Sequence, residues 1–333
     1  MQRLETFSPT ALQPFVSYLV KRGIPAERYL QQHHIPIELL GSEDGKIFKR
    51  QAYGFFRDAA ENEGLPTFGL LDGAPNSIRD LGVLGQATLQ AETLRDGLLT
   101  FAELLTMVAE GNHVWLEQGP ELSWIYCRTY DLRRTDYVPD HTSILALREV
   151  VRLAAGPDWQ PPVVSFYTQP VADIAKLEDF ATTEVNFLQP VTGLSVPTPL
   201  LAMPLQPAGI VTVPAEGSIQ MQPPPDSIHE KIYTVVLNLY GHRCHVSVDQ
   251  VAEILGINRL TLYRSLREEG TNYRQIVDRV RYKLAVDLLE NSTEPIHDIA
   301  RVLGYSTTGN FTRAFQRMSG LSPTKYRQSD RIQ

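Results

Sequence analysis

Residues 246–270 read VSVDQVAEILGINRLTLYRSLREEG, and the spacing of caps and apolar positions in this stretch decides the architecture of the C-terminal third. Ser247 and Gln250 stand at the spacing of a capping box, ahead of an apolar stripe formed by Val248, Val251, Ile254 and Leu255. Gly256 ends this first helix, because it accepts the left-handed backbone of a turn without steric cost. Asn258 can cap a second helix, on which Leu262 and Leu266 face inward while Arg259, Leu260, Tyr263, Arg264 and Arg267 lie on or beside the opposite surface. Ala252 supplies the small residue that two closely crossing helices need. The arrangement predicted is helix, tight turn, helix.

The pattern returns further along. Ala300, Gly304, Phe311, Arg313 and Phe315 repeat the order of small residue, turn glycine, apolar anchor, basic residue and apolar anchor, with the second turn one residue longer. Pro295 suits the first turn of the leading helix of this second unit. Between the units an amphipathic helix is predicted over 274–290, with Ile276, Val277, Val280, Leu284, Leu288 and Leu289 on its buried side. Such a helix is about 26 Å long, and two recognition helices can enter successive major grooves on one face of DNA when they stand about 34 Å apart. Duplication with outward arginines therefore points to DNA reading.

Met203 to Asp226 separates this region from the rest, since Pro204, Pro207, Pro214, Pro223, Pro224 and Pro225 are too dense for a helix or a central strand. The expected organisation is a sensing or oligomerisation domain over 1–203, a Pro-rich linker over 204–226 and an all-α DNA-binding domain over 227–333. In the first part, Leu94, Leu98, Phe101, Leu105 and Val108 recur at helical spacing behind Thr93, a plausible cap, which predicts a helix over 94–109. Strands are predicted over 113–117 and 122–130, joined by Gln118-Gly119-Pro120, then a helix near 141–155 and a strand over 163–167. Segments 8–22, 25–33 and 48–62 read as helical. The N-terminal domain is thus expected to be α+β.

Composition sets limits on function. The chain has 333 residues, enough for two domains, and its 43% hydrophobic and 21% charged residues are ordinary for a globular protein. No apolar run reaches the roughly 18 residues of a membrane span. MQRLETFSPTALQPF has one early Arg and no apolar core before a small-residue cleavage site, so the expected location is the cytoplasm. The net charge of −7 would repel a polyanion, but it is unevenly spread: residues 226–333 carry 15 Lys/Arg against 12 Asp/Glu, and the remainder 16 against 26. Charge permits nucleic-acid binding at the C-terminal end without demanding it.

Two longer stretches resemble a known family. VLGYSTTGNFTRAFQRMSGLSPTKYR, at 302–327, is similar to the signature of the AraC family of bacterial regulators, and VSVDQVAEILGINRLTLYRSLREEGTNYRQ is similar to the first helix-turn-helix of that family. The resemblance covers about 228–327. It implies base-facing positions at Leu260, Tyr263 and Arg264 in the first unit and at Thr308, Gly309, Asn310, Thr312 and Arg313 in the second. LGVLGQATLQAETLRDGLLTFAELL, at 81–105, resembles the ligand-sensing domain of one branch of the family, although helices are too prominent here for the simple β-barrel of its sugar-binding founder. Amino acids and fatty acids stay open as effectors. The partners implied are promoter DNA, RNA polymerase, a small-molecule effector of unknown identity and a second copy of the chain in a homodimer, with no membrane partner.

Other chemistry finds less support in the residues. Helix-turn-helix units of this kind also occur in DNA-repair proteins that transfer an alkyl group to a cysteine, but Cys127 and Cys244 are dispersed and read as free thiols. His242, Cys244 and His245 form a short cluster without an evident fourth metal ligand, and His33-His34 is no stronger. No Gly-rich phosphate loop follows a strand and no Gly-x-Ser-x-Gly elbow is present. The expectation is no catalytic residue, no metal and no cofactor. Trp115, Trp124, Tyr126 and Tyr130 could line a pocket or belong to the core, and Arg128 reads as an exposed strand residue.

Overall fold

The computed structural model describes residues 5–42, 45–71, 82–129, 132–171, 174–205, 227–241 and 246–330. The chain divides into two compact units, Met1–Pro224 and Pro225–Gln333. Most of the stretch read as a linker lies outside the described residues.

The first unit is built in two layers. Strand β1 (Thr6–Phe7) pairs antiparallel with β2 (Ile47–Phe48), and helices α1 (Gln13–Lys21), α2 (Ala26–Gln32) and α3 (Lys49–Asn62) gather around them. Their core is aromatic: the Phe15 ring packs edge-on to Phe56 at 4.8 Å and to Phe68 at 5.4 Å, the geometry that ring quadrupoles favour. The second layer is a five-stranded sheet in the order β3-β4-β7-β5-β6. Its strands are β3 (Asn112–Glu117), β4 (Leu122–Thr129), β5 (Val163–Ser165), β6 (Glu184–Asn186) and β7 (Thr192–Pro197); only β5 and β6 pair in parallel. Helices α4 (Gly82–Thr88), α5 (Leu94–Val108) and α6 (Tyr137–Ala155) complete the layer. Ile144, Leu147 and Val151 of α6 share one buried cluster with Ile125, Leu194 and Val196 of the sheet.

The helix expected over 94–109 forms as α5, with the Thr93 hydroxyl accepting from the Asp96 amide at 3.2 Å. Its Leu94, Leu98 and Phe101 are buried, while Leu105 and Val108 are partly so. Helix α6 starts four residues before the expected 141, because Pro139 falls in its first turn, where the missing N–H costs no hydrogen bond. Segment 8–22 splits into a 3-10 turn, Pro9–Leu12, and α1. Strands β6 and β7 were not expected. β7 is the middle strand and is buried on both faces, so it lacks the alternation that marks a half-buried strand, and its Gly193 and Pro197 read as turn residues.

Two buried polar clusters fasten α6. The Asp140 carboxylate accepts from the Thr168 amide at 2.9 Å, from the Thr168 hydroxyl at 2.6 Å and from the Thr192 hydroxyl. Arg148, whose side chain is 1% exposed, and Arg152 are both paired with Glu149 and with Asp179 of the short turn Glu178–Phe180, at 2.7 to 3.2 Å.

The second unit is all-helical: α7 (Ile228–Gly241), α8 (Val248–Leu255), α9 (Arg259–Glu268), α10 (Tyr273–Asn291), α11 (Ile296–Val302), α12 (Thr308–Ser319) and α13 (Pro323–Asp330). The 19-residue α10, about 28 Å long, is the spacer foreseen from the sequence. Its N-terminal Ile276, Val277 and Val280 are buried on the side where α10 meets α7. Its C-terminal Ala285 and Leu289 belong to a cluster with Ile299, Ala300, Leu303, Phe311 and Phe315. One helix thus shares a core with the second helix-turn-helix unit at one end and packs at the other on α7, which in turn meets α8 and α9.

Candidate nucleic-acid interface

Each unit is set by local caps. In the first, the Gln250 backbone amide donates to the Ser247 hydroxyl at 3.1 Å and the Ser247 backbone amide to the Gln250 side-chain Oε1 at 3.0 Å, closing the box that starts α8. Gly256 turns the chain at φ 66°, in the left-handed region, and Asn258 caps α9 by accepting from the Thr261 amide at 2.8 Å. In the second, Pro295 stands at the cap of α11, Gly304 turns the chain at φ 71°, and Thr307 caps α12 by accepting from the Asn310 amide at 3.2 Å. From glycine to cap is two residues in the first unit and three in the second, the longer turn read in the sequence.

These caps fix which faces point outward. Leu262 and Leu266 are buried under α9, while Arg259, Leu260, Tyr263, Arg264 and Arg267 are exposed. Leu260 is 80% exposed and Tyr263 40%, so the apolar part of this surface stands in solvent. The Arg259 guanidinium lies 5.5 Å from the Tyr263 ring centre and 3.8 Å from Asp249. Among the described residues Arg264 reaches Glu268 alone, at 3.8 Å, and its side chain is 73% exposed. An exposed pair at that distance holds a side chain weakly, so Arg264 is available to a ligand.

Helix α12 buries Phe311 and Phe315 and exposes Gly309, Asn310 and Arg313, with Thr308 and Thr312 partly covered. Arg313 is more restrained than Arg264, because its Nη2 donates to Asn310 Oδ1 at 2.7 Å, and Asn310 Nδ2 in turn donates to Ser306 at 2.9 Å. The Thr312 hydroxyl donates to the Thr308 carbonyl at 2.9 Å, which spends its proton within the helix. The two outward surfaces therefore differ in chemistry: one carries a free arginine beside an apolar and an aromatic side chain, the other a chain of polar groups already bonded to one another.

Sequence reasoning missed the group that joins the second unit to α7. Arg281 of α10 contacts Tyr240 of α7, the Gly304 carbonyl and the Tyr305 ring, its guanidinium 5.1 Å and 4.9 Å from the two ring centres. These partners are 41 and 23 residues away, so no local pattern announces them.

In the first unit, Trp115, Trp124 and Tyr126 stack on the face of the sheet opposite the buried Ile125 and Cys127, with Trp124 and Tyr126 nearly parallel at 5.5 Å. They are half-buried and so do not belong to the core; Tyr130 lies outside the described residues. Arg128 is exposed, 5.9 Å from the Trp115 ring centre. Burial pushes the Cys127 thiol up to about 11, away from the thiolate that alkyl transfer requires. His33 contacts Asp58 at 2.9 Å, and among the described residues no group of three or more His, Cys, Asp or Glu could hold a metal. The His242, Cys244 and His245 cluster lies outside them. No helix among the described residues is long and apolar enough to cross a membrane.

Comparison with known proteins extends these observations to both units. Residues 251–329 match the family described as a helix-turn-helix domain, and residues 23–205 match the arabinose-binding domain of AraC transcription regulator, N-terminal. The chain is 24% identical to the ornithine utilization regulator of Pseudomonas aeruginosa over 323 residues, 95% of each chain. It is 45% identical to the HTH-type transcriptional regulator VqsM of the same organism over 83 residues, 25% of this chain and 26% of that one. Among solved structures, the transcriptional regulator CdpR from Pseudomonas aeruginosa aligns over 96% of this chain and 98% of its own, with 20% identity and a TM-score of 0.41.

Proposed function

Since the chain belongs to the AraC family of transcription regulators, we propose that α9 and α12 read the two halves of a promoter site and that the first unit answers to a small-molecule effector. The chain is a transcription regulator with an AraC-type DNA-binding region and an arabinose-binding-like N-terminal domain. The observation that carries the DNA reading is the division of α9: Leu262 and Leu266 face the core, while Leu260, Tyr263 and Arg264 are offered to solvent. Arg264 can donate two hydrogen bonds to guanine, and Arg259, Arg267 and the capped helix ends can hold phosphates. On α12, Arg313 and Asn310 are exposed and reach bases by exchanging their mutual hydrogen bond for contacts to DNA, with Thr308, Gly309 and Thr312 close to the backbone.

Effector binding, self-association into a homodimer and contact with RNA polymerase belong to the same proposal, as does a cytoplasmic location without catalytic activity. Selection of binding sites from random duplexes by the full chain tests the DNA reading. The expected product is a bipartite sequence whose halves stand about 10 base pairs apart, one helical turn. Recovery of no preferred sequence at moderate salt would remove the reading.

A further inference from the structure

A cavity of about 100 Å³, partly open to solvent, lies in the first unit at the seam where its two cores meet. Phe7, Phe15 and Phe56 come from the helical core around α3, and Phe101 and Leu147 from the core around the sheet. Packed interiors leave few voids larger than a water molecule, so a space of this size between two well-filled cores stands out. Its walls are apolar over most of their extent, and among the described residues that line it none is Lys, Arg or His.

The polar groups at the wall are mostly committed. The Glu149 carboxylate is held by Arg148 and Arg152, and the nearby Lys49 ammonium is paired with Glu5 at 2.5 Å. Asn112, the first residue of β3, is the exception: it lines the cavity, and its carboxamide oxygen is buried without a hydrogen-bond partner. A buried acceptor left unpaired is costly, and buried polar groups in native structures nearly always find a partner. A carboxylate or ammonium entering this space would lose its hydration with no free countercharge to replace it.

We propose that this cavity is the effector site, and that it takes a neutral, mostly apolar molecule about the size of benzyl alcohol, with one hydroxyl that Asn112 holds. The assignment rests on the reading of the first unit as effector-binding. An engineered cavity of about 150 Å³ with apolar walls takes up benzene, which sets the scale of the ligand. It selects against the amino acids and fatty acids that the sequence leaves open, because both carry a charge that the walls do not answer. Filling the space adds contacts to both cores at once, and so favours whichever packing of the helical layer on the sheet layer matches the ligand.

The test uses the full chain and matched probes: benzyl alcohol against benzoate, 1-hexanol against hexanoate, together with toluene and L-ornithine. The neutral probes are expected to raise the Tm of the first unit by about 2–4 °C when present several-fold above their Kd, and the charged probes to leave it unchanged. Ala146→Leu, which places three more carbons in the cavity, is expected to abolish the response. Asn112→Val is expected to weaken benzyl alcohol about tenfold and to leave toluene unaffected, which decides the matter even if the leucine variant does not fold. A neutral response that persists in Ala146→Leu, or no neutral response, overturns the site; a response to benzoate, hexanoate or L-ornithine that Ala146→Leu removes overturns the ligand class. Operator affinity separates the two readings. Neutral probes that bind without changing it leave the site standing and remove the effector reading, whereas L-ornithine changing it while neutral probes do not bind keeps the effector reading and overturns this assignment.

Discussion

The Arg281 guanidinium donates to the Tyr240 hydroxyl at 2.7 Å, and the same nitrogen stands 3.5 Å from the Gly304 carbonyl at the turn of the second helix-turn-helix. A β-carbon at Gly304 would sit 3.3 Å from that nitrogen, on a backbone whose positive φ already disfavours any other residue. One side chain of the spacer helix thus ties α7 to the second turn.

Arg281→Ala is expected to destabilise the C-terminal unit by about 1–3 kcal/mol, since it removes a hydrogen bond of a charged group and two contacts with aromatic faces. Arg281→Lys should recover little, because an ammonium cannot donate and stack in one plane. Denaturant midpoints of residues 226–333 measure the stability. Affinity for a bipartite site should fall further than affinity for either half alone; equal losses would mean that Arg281 does not govern the spacing.

Arg264→Ala is expected to cost about 1–3 kcal/mol and to relax base preference in one half of the site only. Arg313→Ala should act about one helical turn away and more weakly, because its guanidinium is shared with Asn310. Binding across a panel of single-base variants at two salt concentrations reads the result. A contact to phosphate alone would weaken all sequences alike and lower the salt slope by about one.

Leu260, 80% exposed at the start of α9, is expected to meet a thymine methyl group, the one apolar feature of the major groove. Leu260→Ala should cost about 1 kcal/mol, and replacing the contacted thymine by uracil should cost the same, with no further loss when both are changed. A uracil scan with no effect at any position would sink this contact.

His141 is fully buried beside the Tyr137 and Phe166 rings, and burial pushes its imidazole down to about 3. The unfolded chain binds the proton near 6.5, so between these values unfolding takes up a proton and stability falls as pH falls. The loss from this group should be about 2 kcal/mol between pH 6.5 and 5. Asp140, whose carboxyl burial raises, works in the opposite sense. His141→Leu should flatten the dependence of the first unit's urea midpoint on pH; an unchanged slope would reassign it to other groups.

What the sequence disclosed tracks how far apart the cooperating residues are. Ser247 with Gln250, Asn258 with Thr261 and Thr307 with Asn310 each act across three positions, so both helix-turn-helix units and the outward face of α9 were legible. Strand β7 was not, since at the centre of the sheet it is buried on both faces, which erases the alternation. The Arg281 contacts and the cavity at the seam of two cores arise only when distant segments meet, and no window of sequence contains them.

The four charges on α6 and its neighbouring turn carry a consequence for descent. Losing Arg148 or Glu149 alone leaves the remaining three groups with one opposite charge too few around a buried side chain, whereas exchanging the whole set for apolar residues of similar volume is close to neutral. Positions 148, 149, 152 and 179 should therefore be inherited as a block. Relatives should keep all four charges or none more often than chance, because each single step away passes through a less stable chain.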